Sequence, residues 1–119
     1  MLRYHKFRIA KLWTTEYGSP DDPKEFEWLY AYSPYHHVRA GTQYPAVLFT
    51  TAESDSRVDP LHARKMTAAM QAATASEHPI LLRVETKAGH GAGKPKNKLV
   101  VELTDIYSFL FAELDVGQP

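Results

Sequence analysis

The chain has 119 residues and carries 14 basic and 14 acidic side chains, so its formal net charge is zero. This balance gives no electrostatic reason to expect binding to nucleic acid or to an anionic membrane. The absence of cysteine excludes disulfides, thiolate metal sites and a cysteine nucleophile. The length predicts one domain, and no apolar run approaches the roughly 18 residues that a membrane span needs. No signal-peptide pattern follows the basic N-terminal residues. We therefore expect a cytoplasmic protein, with the periplasm as the alternative.

The first twenty residues mix basic and aromatic side chains without a clear periodicity. They are typical of a loop with one short helical turn, in which Trp13 and Tyr17, four positions apart, would share a face. The alternative is that both rings are ordinary core aromatics. Downstream, Asp22 is placed to cap a helix that begins at Pro23, a position that proline prefers. That helix is predicted to run to about Tyr32.

Two apolar runs predict the strands of a parallel sheet. Residues 44–51 and 80–85 are almost continuously apolar and are bounded by turn residues, which is typical of strands buried on both faces. Between them, Asp59 and Pro60 offer the cap and the first residue of a helix that continues to about Ala75. The order strand, helix, strand, helix predicts an α/β fold with a right-handed crossover.

A long final helix is predicted to start near Lys94, with apolar residues at three- and four-residue spacing. The apolar face of this helix comprises Leu99, Val100, Leu103, Ile106, Tyr107, Leu110 and Leu114.

A histidine flanked by glycines follows the second strand. Glycines let the backbone of His90 bend sharply, which suits a general base, and such a base needs an acid to orient it and a nucleophile to activate. The loop after the first strand carries three carboxylates, Glu53, Asp55 and Asp59. Because the carboxyl ends of parallel strands meet at one edge of a sheet, we expect Asp55 and His90 to lie within hydrogen-bond distance. The alternative is a surface Asp and an unrelated loop His.

Three other motif interpretations are not supported. The glycine-rich stretch 87–94 lacks the spacing of a P-loop, which also needs Ser or Thr where Pro95 stands. A dinucleotide fingerprint needs a third glycine where Lys94 stands, and no G-x-S-x-G nucleophile elbow occurs in the chain. His36 and His37 are adjacent and have no third ligand at metal-binding spacing. We expect no metal and no cofactor.

Several short motifs, taken together and in this order, resemble the C-terminal part of the peptidase domain of the prolyl oligopeptidase (prolyl endopeptidase) family of serine peptidases. The motifs are MLRYHKF at 1–7, WTTEYG at 13–18, YSP at 32–34, QYP at 43–45, DSRV at 55–58, PLH at 60–62 and KAGHGAGK at 87–94. The resemblance runs nearly end to end. It implies an α/β-hydrolase domain capped by a β-propeller, in an enzyme that cleaves short peptides after proline.

The resemblance also implies residue roles. Asp55 and His90 match the acid and the base of the catalytic triad. Trp13 matches the aromatic residue that stacks on the substrate proline, and the flat face of an indole suits a pyrrolidine ring. Tyr17 and Val58 match residues that line the same pocket. Arg57 matches the residue that binds a substrate carbonyl, a task for which a permanently charged guanidinium is well suited.

The chain departs from the family pattern because the serine, the oxyanion hole, the first strands of the sheet and the propeller are missing. We therefore interpret residues 1–119 as a C-terminal fragment, either an excised segment or a truncated gene product, with an incomplete sheet. The leading hypothesis is the acid-and-base half of a post-proline peptidase site, inactive alone and prone to self-association. The alternative is a non-catalytic α/β association module that has lost its nucleophile.

Overall fold

A computed structural model of the chain describes residues 1–86, 89–91 and 94–117. In the glycine-rich stretch, positions 87, 88, 92 and 93 lie outside the described residues, as do positions 118 and 119. Within the described residues, the elements are three 3-10 segments, four α-helices and two strands. The 3-10 segments are Tyr4–Lys6, Arg8–Trp13 and Pro34–His37, the helices are α1 (Thr14–Tyr17), α2 (Pro23–Ala31), α3 (Leu61–Ala73) and α4 (Lys96–Glu113), and the strands are β1 (Val47–Ala52) and β2 (Ile80–Glu85).

The two strands form a parallel pair, which confirms the predicted α/β arrangement. Val47 lies opposite Ile80 and Ala52 lies opposite Glu85. The second strand has the predicted limits, whereas the first begins three residues later than predicted, at Val47. Pro45 has no amide hydrogen to give to a ladder, and the backbone N–H of Val47 donates to the carbonyl of Pro79. Parallel pairing puts the loops after β1 and β2 at the same edge of the sheet.

The prediction of a mostly irregular N-terminal segment was wrong. Residues 4–6 and 8–13 are 3-10 helical and lead directly into α1. This segment has its own small core, in which Tyr4, Ala10 and Leu29 are buried and Trp13 packs against them from one side. Tertiary contact with α2 therefore orders a stretch that has no clear helical period.

Helix α2 begins as predicted, because the Asp22 carboxylate accepts the amides of Lys24 and Glu25 at 2.9 and 3.1 Å. Helix α3 differs from its prediction: Pro60 is the N-cap, and the helix ends at Ala73 rather than Ala75. The carboxylate of Asp59 still accepts the backbone N–H of Leu61, the first helical residue, at 3.0 Å. Asp59 does so from the position before the N-cap, whereas the prediction made Asp59 the N-cap itself.

The apolar surfaces of the sheet and of α4 are only partly covered. Helix α4 begins at Lys96 rather than near Lys94, and it has no buried residue along its described length. Most side chains of β1 and half of those of β2 are only half-buried, so the prediction of strands buried on both faces was wrong for this chain. No helix in the described part of the chain is both long enough and apolar enough to cross a bilayer.

Candidate active site

The loop that leaves β1 folds around the carboxylate of Asp55. This side chain is buried, and its Oδ1 accepts the backbone N–H groups of Arg57 at 2.9 Å and Val58 at 2.8 Å. An Asp that accepts the amides two and three residues ahead stabilises a tight turn. The turn fixes the direction of the carboxylate and leaves Oδ2 for a partner from elsewhere in the chain.

That partner is His90. Its Nδ1 lies 2.7 Å from Oδ2 of Asp55, although the two residues are 35 positions apart in the chain. The two side chains therefore lie at the predicted distance, after the carboxyl ends of neighbouring parallel strands. An ionised carboxylate can only accept, so the hydrogen is assigned to Nδ1, and Nε2 is left to accept a proton. The histidine side chain is 43% exposed, against 11% for that of Asp55, so the ring remains accessible.

The environment of Asp55 keeps its carboxyl group ionised. Burial alone would raise the pKa of Asp55, but the hydrogen bonds from the Val58 amide, the His90 ring and the Arg57 amide together lower the pKa below its ordinary value. Donors that stabilise the charged form act in this direction. The ionised carboxylate can therefore orient the imidazole through this hydrogen bond.

An open cleft of about 640 Å³ lies beside this pair, and Trp13, Tyr17, Arg57 and Val58 all line it. Its lining comes from distant parts of the chain: the N-terminal helical segment, the 3-10 segment Pro34–His37, the loop after β1 and the first turns of α3. Asp55 and His90 are outside the lining, but Arg57 and Val58 join the acid to the cleft because their amides hold its carboxylate. The four residues suggested by family resemblance thus share one surface. Trp13 also packs on the N-terminal core, so the core-aromatic alternative is partly right.

The cleft includes residues that the sequence did not indicate. Phe7 contacts His62 edge-on, with ring centroids 5.2 Å apart, and the ammonium of Lys65 lies 4.7 Å from the ring centre of Tyr35. All four line the cleft. Burial lowers the pKa of His62, so the neutral ring is favoured there. The sequence signals for them were that Phe7 and His62 lie in motifs of the family resemblance and that positions 62 and 65 share a face of α3.

No group of three or more His, Asp or Glu residues within 1–86, 89–91 and 94–117 could hold a metal ion. His36 and His37 each have a protein partner instead. Nδ1 of His36 lies 2.7 Å from Oγ of Ser33, and Nδ1 of His37 lies 2.8 Å from the carbonyl oxygen of Ser33.

Comparison with known proteins places the chain in a family. The family model described as the prolyl oligopeptidase family matches residues 1–117. The chain belongs to the prolyl oligopeptidase family. Prolyl endopeptidase from Elizabethkingia miricola is 45% identical over 117 residues, which are 98% of this chain and 17% of that enzyme.

Solved structures of this family have the same fold over the matched region. One, from a comparative study of two prolyl endopeptidases, has 48% identity and a TM-score of 0.93 over 98% of this chain and 17% of its own. Prolyl oligopeptidase B from Galerina marginata, bound to a hydrolysis and macrocyclization substrate, has 38% identity and a TM-score of 0.89 over 96% of this chain and 16% of its own. The chain thus spans about one sixth of the length of these prolyl oligopeptidase relatives, which are serine peptidases.

Proposed function

We propose that this chain provides the acid, the histidine and part of the substrate pocket of a serine endopeptidase that cleaves short peptides after proline. The observation that carries the proposal is the 2.7 Å hydrogen bond between Asp55 and His90 beside an aromatic cleft. Residues 1–119 would be a C-terminal portion of an α/β-hydrolase catalytic domain. The family to which the chain belongs supports this assignment.

In this mechanism, Nε2 of His90 takes the proton from a serine hydroxyl as that oxygen attacks the scissile carbonyl, and later returns the proton to the leaving amine. Asp55 holds the ring in the required tautomer and stays ionised, which its lowered pKa favours. The indole of Trp13 would stack on the substrate proline ring, with Tyr17 and Val58 as neighbouring walls. Arg57 would donate to a substrate carbonyl.

The partners follow from the same proposal. One is the proline-containing peptide substrate. A second is the remainder of the catalytic domain with its serine and oxyanion hole, together with a β-propeller. No G-x-S-x-G motif occurs in these 119 residues. We therefore expect the isolated chain to show no turnover of a chromogenic Gly-Pro amide above background. Specific turnover that disappears in Asp55→Ala or His90→Ala would contradict this.

A chimera tests the proposed roles directly. The matched segment of the Elizabethkingia miricola enzyme is replaced by this chain, and hydrolysis of a Gly-Pro amide is measured. We expect an active chimera whose kcat falls by about 10³-fold or more in His90→Ala. Glu53→Ala, an exposed carboxylate on the same loop as Asp55, is the matched control for Asp55→Ala. A correctly folded but inactive chimera would instead favour the non-catalytic association module.

A further inference from the structure

The two ends of the loop that carries His90 are both tied to α4 by lysine side chains. At the strand end, Nζ of Lys98 donates to Oε1 of Glu85 at 2.9 Å and also to the carbonyl oxygen of Thr86. At the helix end, Nζ of Lys94 donates to both carboxylate oxygens of Glu102, at 2.8 and 2.7 Å. The loop therefore leaves β2 and enters α4 at two charged contacts with one helix.

These contacts are sheltered from water. The side chains of Glu85, Lys94 and Glu102 are only 10%, 14% and 18% exposed. The other oxygen of Glu85 accepts Nη2 of Arg83 at 3.0 Å, and Nε of Arg83 donates to Asp105 of α4 at 2.8 Å. Bonds from Lys98 and Arg83 hold the pKa of Glu85 below its ordinary value. Partly buried, multiply bonded pairs are screened less than exposed ones.

The sequence spacing does not reveal this pattern. Lys98 and Glu102 are four residues apart on one helix, a spacing at which they could pair with each other. Instead, Lys98 reaches back to the end of β2 and Glu102 reaches back to Lys94. Both α4 side chains are thus directed to the histidine loop rather than to their own helix.

The two neighbours of His90 in the chain carry no side chain that would restrict the backbone. His90 stands between two glycines, and Gly91 has a φ of +62° that other residues rarely adopt. The ring is nearly half exposed and, among the contacts of the described residues, is held by a hydrogen bond to Asp55. Its position therefore depends on where the two ends of the loop are fixed.

We propose that Lys98 and the Lys94–Glu102 pair are positioning residues for His90. They hold the ends of its loop against α4, so that the Nδ1 hydrogen bond to Asp55 persists and Nε2 stays where a serine hydroxyl would arrive. This inference rests on the proposed function for its kinetic consequences, but its structural part is independent of a serine. A displacement of about 1 Å at a reacting group can cost roughly 100-fold in rate.

The kinetic test uses the same chimera with Lys98→Met, Glu102→Gln and the charge exchange Lys94→Glu with Glu102→Lys. We expect the two single variants to lower kcat by about 10- to 100-fold with KM changed less than about twofold. The charge exchange keeps the ion pair with its charges reversed, so it should recover most of the kcat that Glu102→Gln loses. Lys96→Met is the matched control, since this exposed lysine of the same helical turn forms none of the ion pairs found in the described residues.

A proton NMR experiment on the same chimera gives a readout that needs no turnover. The low-field signal of the Nδ1 proton of His90 should be sharp in the wild type and in Lys96→Met, and broadened or lost in Lys98→Met and Glu102→Gln. Thermal melts of all variants identify any that are unfolded. If Lys98→Met is unfolded, Lys98→Arg, which keeps the charge, replaces it. Lys98→Arg should weaken the signal less than Lys98→Met.

The inference would be overturned if the single variants matched Lys96→Met in both kcat and the low-field signal. It would also be overturned if the charge exchange had a kcat no higher than that of the single variants. An inactive wild-type chimera would count against the proposed function alone, since the NMR signals would still decide whether α4 positions His90.

Discussion

At the scale of single residues, the two carboxylate oxygens of Asp55 accept hydrogen bonds from different partners. Oδ1 accepts two backbone amides and Oδ2 accepts the ring of His90. The backbone bonds give the carboxylate a fixed direction that does not depend on the histidine. The turn that orients the carboxylate is also the turn that presents Arg57 and Val58 to the cleft, so one short loop contributes to both the Asp55–His90 pair and the cleft.

This arrangement predicts how Asp55 titrates. Its pKa in the folded chain lies below the ordinary value of 3.8, so its contribution to the free energy of unfolding is complete above about pH 4. That contribution is lost as the pH falls through the lowered folded pKa. The amide proton shifts of Arg57 and Val58 should report a midpoint below that value. His90→Ala removes one of the lowering bonds and should move the midpoint upward, whereas an unchanged midpoint would contradict the role of the ring.

A second residue-scale prediction concerns the cleft. In the chimera, Trp13→Ala should lower kcat/KM for a proline substrate by roughly 2- to 12-fold, which corresponds to about 0.5–1.5 kcal/mol for a lost aromatic stack beyond area burial. Phe26→Ala is the control, since Phe26 stacks with Tyr30 on α2. Equal effects of the two substitutions would make Trp13 an ordinary core aromatic.

At the scale of elements, helices α2 and α4 show which features a local sequence pattern predicts and which depend on neighbouring elements. The start of α2 follows from Asp22 and Pro23 alone, because a cap needs only its own helix. The apolar face of α4 follows a helical period, yet Leu103 and Leu110 on it are 41% and 39% exposed. Periodicity predicts that a face is apolar, but the elements packed against that face decide whether it is buried.

The cap of α2 gives the element-scale prediction. Asp22→Ala should lower the free energy of unfolding by about 1 kcal/mol, because the amides of Lys24 and Glu25 lose their acceptor. Asp21→Ala, at the exposed neighbouring position, should have a much smaller effect. Urea titrations at one fixed protein concentration measure both. A loss in Asp21→Ala as large as that in Asp22→Ala would contradict the capping role.

At the scale of the whole molecule, the chain is less compact than a globular domain of its length. Its radius of gyration is 16.7 Å, against about 13.5 Å expected for 119 residues. The sheet has two strands, and each has an edge without a neighbouring strand in the described part of the chain. Such edges pair readily with other chains, and two strands alone are marginally stable.

We therefore expect the isolated chain to self-associate, by edge pairing of strands or by exchange of a helix between copies. Light scattering at micromolar concentration should show species heavier than 13.5 kDa. A monodisperse species of that mass with a cooperative thermal transition would show that α3 and α4 cover the sheet sufficiently, and would contradict this expectation.

The sequence by itself determined the local features and the approximate order of elements. The cap at Asp22, the strand 80–85, the parallel α/β order and the proximity of Asp55 to His90 could be predicted, because each depends on nearby residues or on the geometry of a parallel sheet. The tertiary structure alone decided the rest. The ordering of residues 4–13, the contribution of Phe7 and His62 to the cleft, and the pairing of Lys98 and Glu102 with the histidine loop all depend on contacts between distant segments. The periodicity of apolar residues along the sequence carries no information about such contacts, because it describes one helix or strand at a time.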